Sequence, residues 1–379
     1  MIGSKRQQIE AIWKGDLPDY FPVEPCGFWK ETIERWHKEG LSIGSDPNIE
    51  TGLNDSWFSA LPLNSGMFPE HDIKIISEDN RYVVLIDELG VKKKMMKNDY
   101  YSSQGKIKLA GETSSMSEWL EFPVKTLADW EKLFSQRFKS DLEGRVPENW
   151  DSIKEGLKNQ SKEKIILYYD FPGFGSFGAI RQLMGYENMV MACTDCPDLV
   201  HRMISDLTDH FISLFKQVFF DIRFDMAMLF EDMCYKQGSL ISPQMFTEFF
   251  GNMYIRLSAF FKENGIDQLH IDTDGNAVKM LPSFLKVGVT GIFPLEVQSG
   301  MNPGEIRELH PSLILKGGID KRALVCDKET IEKEVKSKFE IAWRMKKYLP
   351  WIDHGIPPDV SWDNFRYFID IYKKYAKYI

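Results

Sequence analysis

The sequence predicts an α/β protein of the (β/α)8 TIM-barrel class, with an N-terminal extension that contains a small antiparallel β insert. Two observations carry this reading. From about residue 150 onward, short apolar runs alternate with longer segments of helical periodicity, the pattern of βα units wound around a parallel sheet. Each run also ends in acidic residues. Carboxylates at the C-terminal ends of five or six successive strands favour a barrel, whose active sites form at that rim, over an open sheet that binds ligands only at its switch point. Residues 1–120 are read as the extension, packed on the barrel, and residues 121–379 as its main part.

The extension begins with a helical stretch, passes through FPVEPCGFWKETIERWHKEG, and reaches IKIISEDNRYVVLIDELGVKKKMM, where EDN and ELG turns separate strands of an antiparallel insert. The basic cluster VKKKMMK at 91–97 reads as a solvated hairpin. The barrel strands then follow as IILYY (165–169), MAMLF (226–230), DQLHI (267–271), VTGIF (289–293) and LILKG (313–317). Helical patterns such as CPDLVHRMISDLTDHFISLFKQVF separate them, with Pro197 suited to a first helical turn. The runs continue into Asp170, into Glu231 and Asp232, into Asp272 and Asp274, into Glu296, into Asp320, and later into Asp353 and His354. Asp170 and Asp320 also suit the N-cap of a following helix.

Composition bounds the function. The chain is 43% hydrophobic and 27% charged, ordinary for a globular enzyme, and its net charge of −9 argues against general nucleic-acid binding, which needs clustered Lys and Arg. The start MIGSKRQQIEAIWKGDLPDY lacks the apolar core of a signal peptide and no later run approaches a membrane span, so a cytoplasmic protein is expected. Five cysteines, an odd number, suit free thiols in a reducing compartment.

Single motifs say less. GFGSFG at 173–178 fits G-x-G-x-x-G, but Asp170 and a proline intervene before the glycines, so it reads as an aromatic loop at the barrel mouth and not a dinucleotide site. Cys193 and Cys196 form C-x-x-C at a helix start without the second pair a zinc ribbon needs. His37, His201 and His210 fall in helical patterns, and His71 and His310 in turns. HIDTD is more informative: His270, Asp272 and Asp274 are spaced two apart, which on a strand stacks them on one face towards its end. His270 is the deepest of the three and suits a satisfied interior histidine. His354 of WIDHGIPPDV belongs at another strand end, before an irregular loop.

The stretches FEDMCYKQGSLISPQMFTEFF, HIDTDGNAVKMLPSFLKVGVTGIFPLEVQSGM, LKGGIDKRAL and DHGIPPDVSWDNF together resemble the uroporphyrinogen decarboxylase superfamily, from about Phe122 to the C-terminus. The resemblance implies a (β/α)8 barrel with a cleft at the C-terminal face and one of two chemistries. True decarboxylases grip a polycarboxylate with an arginine-rich N-terminal segment, whereas FPVEPCGFWKETIERW offers acids, aromatics and only Arg35. Methyltransferases of corrinoid-dependent systems bind zinc through a His-x-Cys pair and a later cysteine, positions that fall here on Asp272, Asp274 and His354.

The resemblance therefore implies a catalytic set of Asp272, Asp274, His354 and Glu231, with the first three as zinc ligands. An oxygen-rich site of this kind would polarise the ether oxygen of a small methoxy substrate while a separate corrinoid protein takes the methyl. Tyr169, Phe174, Phe177, Asp232, Glu296 and Lys321 are the expected substrate-binding residues, with Phe171 and Phe293 adding aromatic surface. Two alternatives stand beside this. In a cofactor-free decarboxylase, of uroporphyrinogen or a smaller substrate, Asp272 and Asp274 share a proton and His354 serves as acid or base. A barrel could instead bind a ligand without turnover. The expected partners are a small-molecule substrate, a corrinoid protein and a second copy of the chain in a homodimer, with no nucleic acid and no membrane.

Overall fold

The computed structural model describes residues 3–97, 99–100, 117–170 and 175–377. In chain order the strands are β1 (Phe58–Ala60), β2 (Lys74–Glu78), β3 (Tyr82–Ile86), β4 (Lys92–Met96), β5 (Glu118–Glu121), β6 (Ile165–Asp170), β7 (Met226–Phe230), β8 (Cys234–Tyr235), β9 (Gly238–Ser239), β10 (Gln268–Asp272), β11 (Gly291–Leu295), β12 (Ile314–Ile319) and β13 (Tyr348–Ile352). Two compact units divide the chain: Met1–Pro62, Asn149–Pro172 and Asp221–Ile379 form the first, and Leu63–Glu148 with Gly173–Phe220 the second.

The first unit is built on a curled sheet in the order β1-β6-β7-β10-β11-β12-β13, with every neighbouring pair parallel. Its strands are nearly continuous apolar runs because helices cover the sheet, leaving neither face in water. The helices Gly251–Glu263, Leu281–Lys286, Pro303–Leu309, Lys328–Met345 and Trp362–Tyr375 alternate with the later strands, giving the barrel-like α/β fold the sequence predicts. The strands foreseen in the sequence all form, with bounds moved by one or two residues. β1 lies within the first 120 residues yet joins this sheet through Phe58–Ile165 pairing. At the other end of the strand order, just after β13, Phe28 makes a parallel bridge to Ile356.

Within this sheet the register sets the interior layers. His270 of β10 stands opposite Met228 of β7 and Gly291 of β11, and Asp272 stands opposite Phe230 and Phe293. The imidazole of His270 occupies the space where Gly291 has no side chain: a Cβ there would lie 2.5 Å from the ring's Cε1. His270 is thus an interior histidine, its Nε2 lying 3.2 Å from Gln268 Oε1. Burial, with the Lys316 charge second, pulls its pKa down to about 3, so it packs as a neutral ring.

The second unit contains the expected antiparallel insert, a sheet in the order β2-β3-β4-β5. Val83 and Leu85 bury one face of β3 together with Tyr100. The basic cluster is largely strand β4, and its lysines find partners within the sheet: Lys93 pairs with Asp87 at 3.0 Å and Lys94 with Glu118 at 3.6 Å. The buried Arg145 guanidinium donates to the carbonyls of Lys139, Asn64, Gly66 and Arg137, tying that unit's loops together. His210 is buried between Ser140 and the Ser65 carbonyl, and burial holds its pKa at about 4. Pro197 opens the long helix Pro197–Asp221, as its position suggested. All five cysteines are free, with Cys193 buried and Cys196 exposed. Among the described residues no helix is long and apolar enough to cross a membrane.

Filling the space taken by the His270 ring has a measurable cost. Gly291→Ala should lower stability by about 1–3 kcal/mol in urea unfolding, and the same change in a His270→Ala chain should cost clearly less, because the ring that collides with the new methyl is gone.

Candidate functional site

The site grows from the C-terminal end of β10. Alternation along the strand turns Gln268, His270 and Asp272 to one face, and sheet register places Asp272 level with the rings of Phe230 and Phe293. Tyr169, near the end of β6, donates its hydroxyl to Asp272 Oδ2 at 2.6 Å. Asp272 is only 5% exposed. Burial therefore raises its pKa to about 7, with the Asp274 and Asp232 charges adding to the rise and Tyr169 and Lys316 opposing it. The Tyr169 hydroxyl is pushed well above its ordinary value by burial and by the Asp272 charge, so it stays a donor.

Past the strand the backbone is locked into a turn. The Asp272 carbonyl accepts from the Glu231 amide at 2.8 Å and the Asp232 amide at 3.4 Å, and the Thr273 amide donates to the Phe293 carbonyl at 2.9 Å. Gly275 sits at φ +80, where a Cβ would fall 2.6 Å from the Tyr235 backbone, so this position demands glycine. Its amide donates to Glu296 Oε2 at 3.0 Å. The turn delivers Asp274 to a partly open position, with its Oδ2 3.5 Å from His354 Nε2. That contact is the main cause of a raised His354 pKa, which burial opposes. Nδ1 of His354 accepts the Gly355 amide at 2.7 Å, so hydrogen bonding assigns the neutral ring's proton to Nε2, facing Asp274.

The remaining predicted residues divide into three groups. Glu296 and Lys321 brace the mouth. Glu296 accepts from Gly275, Ser299 and Gln298, and Lys321 Nζ lies 3.6 Å from Glu296 and 3.9 Å from the buried Asp353. Burial works against ionisation of Glu296, but these bonds hold its pKa below the ordinary value. Asp353 goes the other way: burial raises its pKa to about 6. Asp232 follows β7 at φ +46, a left-handed conformation that a non-glycine residue rarely adopts and that is often found at functional sites.

Glu231 is not brought to this group. One residue past Phe230 it faces the opposite way, is fully buried, and accepts the hydroxyl of Tyr254 from the helix Gly251–Glu263. Phe177 is fully buried in the helix Ser176–Met184 of the second unit, while Phe171 and Phe174 lie outside the described residues. Asp320 caps the turn Lys321–Val325, accepting the Arg322 amide at 2.9 Å, as its spacing allowed.

Two residues were not foreseen. Glu24 and Lys316 form a buried ion pair at 2.7 Å, with the ammonium over the ring of Phe293, the register partner of Asp272. The available signal was a lysine inside the apolar strand LILKGG, since a charge there needs a buried partner.

Residues 119–375, well over half of the chain, match the family model described as uroporphyrinogen decarboxylase (URO-D). The chain belongs to the URO-D family. A relative in it, the uroporphyrinogen decarboxylase of Hydrogenobaculum sp. (strain Y04AAS1), is 31% identical over 84 residues, 22% of this chain and 24% of that protein. The match thus spans about a quarter of the relative's length. A solved structure from Listeria monocytogenes, described as a candidate vitamin-B12-independent methionine synthase, is 14% identical over 60% of this chain and 70% of its own, with a TM-score of 0.35, and bears on nothing further here.

In this URO-D family member the three side chains expected to hold zinc do not converge. Asp272 is engaged by Tyr169, and His354 presents a proton, not a lone pair, towards Asp274. Among the described residues no three His, Cys, Asp or Glu side chains are placed to hold one ion. The donors, as arranged, do not fit a metal.

The raised Asp272 pKa fixes a sign. Its proton is held more tightly in the folded state than in the unfolded one, so this group's contribution to stability falls as pH rises from 3.8 to about 7. Urea unfolding of wild type against Asp272→Asn, which stays neutral, should show the wild type losing on the order of 2 kcal/mol relative to the variant between pH 4 and pH 8.

Proposed function

We propose that this URO-D family barrel is an acid–base enzyme of the carboxy-lyase type acting on a small substrate. The observation that carries the reading is the buried Asp272 carboxyl, which exchanges its proton near pH 7 while hydrogen-bonded to Tyr169, below an Asp274–His354 pair at the mouth. Paired titratable groups in unlike environments are the arrangement that assigns acid and base roles. The C–C bond to the substrate carboxylate breaks, CO2 departs, and the electron pair left on carbon takes a proton from the Asp272 carboxyl. Tyr169 steadies the carboxylate that results. The His354 imidazolium, favoured by Asp274 and partly open to water, then returns a proton to the site.

Methyl transfer to a corrinoid protein, with zinc polarising a methyl ether, is the second reading. It is supported by the fall of Asp272, Asp274 and His354 on the ligand positions of corrinoid-dependent methyltransferases, and it requires those side chains to leave their present partners.

One experiment separates the two. CO2 release is followed at pH 7 over a panel of small carboxylic acids, with and without EDTA, beside elemental analysis of untagged protein. The expected result is turnover of at least one acid, insensitive to chelation and reduced about 10²- to 10⁴-fold in Asp272→Asn and His354→Gln. Stoichiometric zinc that disappears in Asp272→Ala, with methyl-cobalt formed from a methyl ether and a reduced corrinoid protein, would overturn the acid–base reading.

A further inference from the structure

Over Phe293, the register partner of Asp272, lies a cation that the proposed chemistry does not use. Lys316 stands on β12 two residues after Ile314, the register partner of Gly291; the register shifts just beyond, between Ile292 and Leu295, and the ammonium comes to lie over the ring of Phe293, the register partner of Asp272. Its Nζ lies 2.7 Å from Glu24 Oε1, 4.3 Å from the centroid of the Phe293 ring and 5.4 Å from that of Trp57. The other Glu24 oxygen accepts the Trp57 indole N–H at 2.7 Å, so the glutamate is fully committed. The Lys316 side chain is 13% and the Glu24 side chain 9% exposed.

An ammonium carries three protons. Glu24 takes one, the two rings supply only π faces, and the other two N–H groups have no hydrogen-bond acceptor among the described residues. A buried cation with spare donors is costly unless something accepts from it. Its ammonium lies over the ring of Phe293, the register partner of Asp272, and its charge opposes the rise of the Asp272 pKa.

We infer that Lys316 is a specificity-determining residue that receives the carboxylate of a small monoanionic substrate whose apolar body lies along Phe293. This rests on the acid–base reading for where the reaction occurs, and it adds the substrate's class. A carboxylate oxygen accepting the spare protons makes charge-assisted hydrogen bonds, the strongest the site can offer. One such group is accommodated. The other cation of the mouth, Lys321, is already shared between Glu296 and Asp353, and Asp232 and Asp274 would repel a second carboxylate.

The test is binding by calorimetry, which needs no turnover, with acetate, phenylacetate and benzoate as probes and benzamide as the neutral counterpart of benzoate. At least one acid should bind, benzoate should bind about tenfold or more tightly than benzamide, and Lys316→Met should abolish that preference. Glu24→Gln, which removes the competing carboxylate, should tighten the acids. Because Lys316→Met strands a buried glutamate, the double variant Lys316→Met/Glu24→Gln serves as the folded control and should bind the acid and the amide alike. The inference is overturned if no acid binds below about 10 mM, if benzamide matches benzoate in the wild type, or if Lys316→Met keeps the preference. Failure of the acid–base reading would leave these affinities untouched, because it would show in Asp272→Asn turnover and not in binding.

Discussion

Glu24 is a carboxylate taken out of water with both oxygens engaged, one by the Trp57 indole and one by the Lys316 ammonium. Buried ions persist only while each keeps its partners, and removing one partner strands the other in a medium that cannot solvate it. Trp57 immediately precedes β1, at one end of the strand order, and Lys316 stands on β12, the next-to-last strand at the other, so this single side chain ties distant parts of the sheet. The Phe28–Ile356 bridge and the Thr32 hydroxyl donating to the Ile356 carbonyl at 2.8 Å hold the same N-terminal segment against the chain that follows β13. Lys316 packs on Phe293, and Phe293 is the register partner of Asp272. The ion pair therefore also packs against the neighbour of Asp272 in the sheet.

One strand and one turn create two unlike acids. Asp272 ends β10 inside the sheet's curl, where desolvation favours its neutral form. Two residues later, the left-handed glycine at 275 and its bond to Glu296 have carried Asp274 out to half-exposed surroundings beside His354. The chemistry of the side chain is the same in both places. Environment alone separates their tasks, and the loop bonds from Glu231, Asp232 and Thr273 keep the two from drifting into one another's surroundings.

Much of this was readable in the sequence, because the underlying rules are local. Apolar runs of strand length followed by acids located β6, β7, β10, β11 and β12, and the HIDTD spacing pointed to the acids of the candidate site. The misplaced expectations share a physical cause. Glu231 directly follows a correctly read strand, but period-two alternation sends it away from Asp272 and towards Tyr254, and acid content alone does not reveal which face a residue takes. Phe177 looked like mouth lining because it follows a strand in the chain, whereas it is fully buried in a helix that belongs to the second compact unit. The Glu24–Lys316 pair was invisible for a different reason: a long-range ion pair leaves no periodicity in either segment that forms it.

The charges around Asp272 bear on the size of substrate that the proposed chemistry would take. A molecule with many carboxylates needs several cations to replace the water it loses. Lys321 is divided between Glu296 and Asp353, and Arg35 is spent on Glu39 and the Pro358 carbonyl. Lys316 differs from these two in being held by a single carboxylate inside the sheet's curl, its ammonium over the ring of Phe293, the register partner of Asp272. A single carboxylate can satisfy that cation, but a second would have to rest among Asp232, Asp274 and Glu296, where Lys321 and His354 are already paired with carboxylates. The family supplies the scaffold, and under the proposed reading the substrate would be set by which charges that scaffold leaves uncompensated.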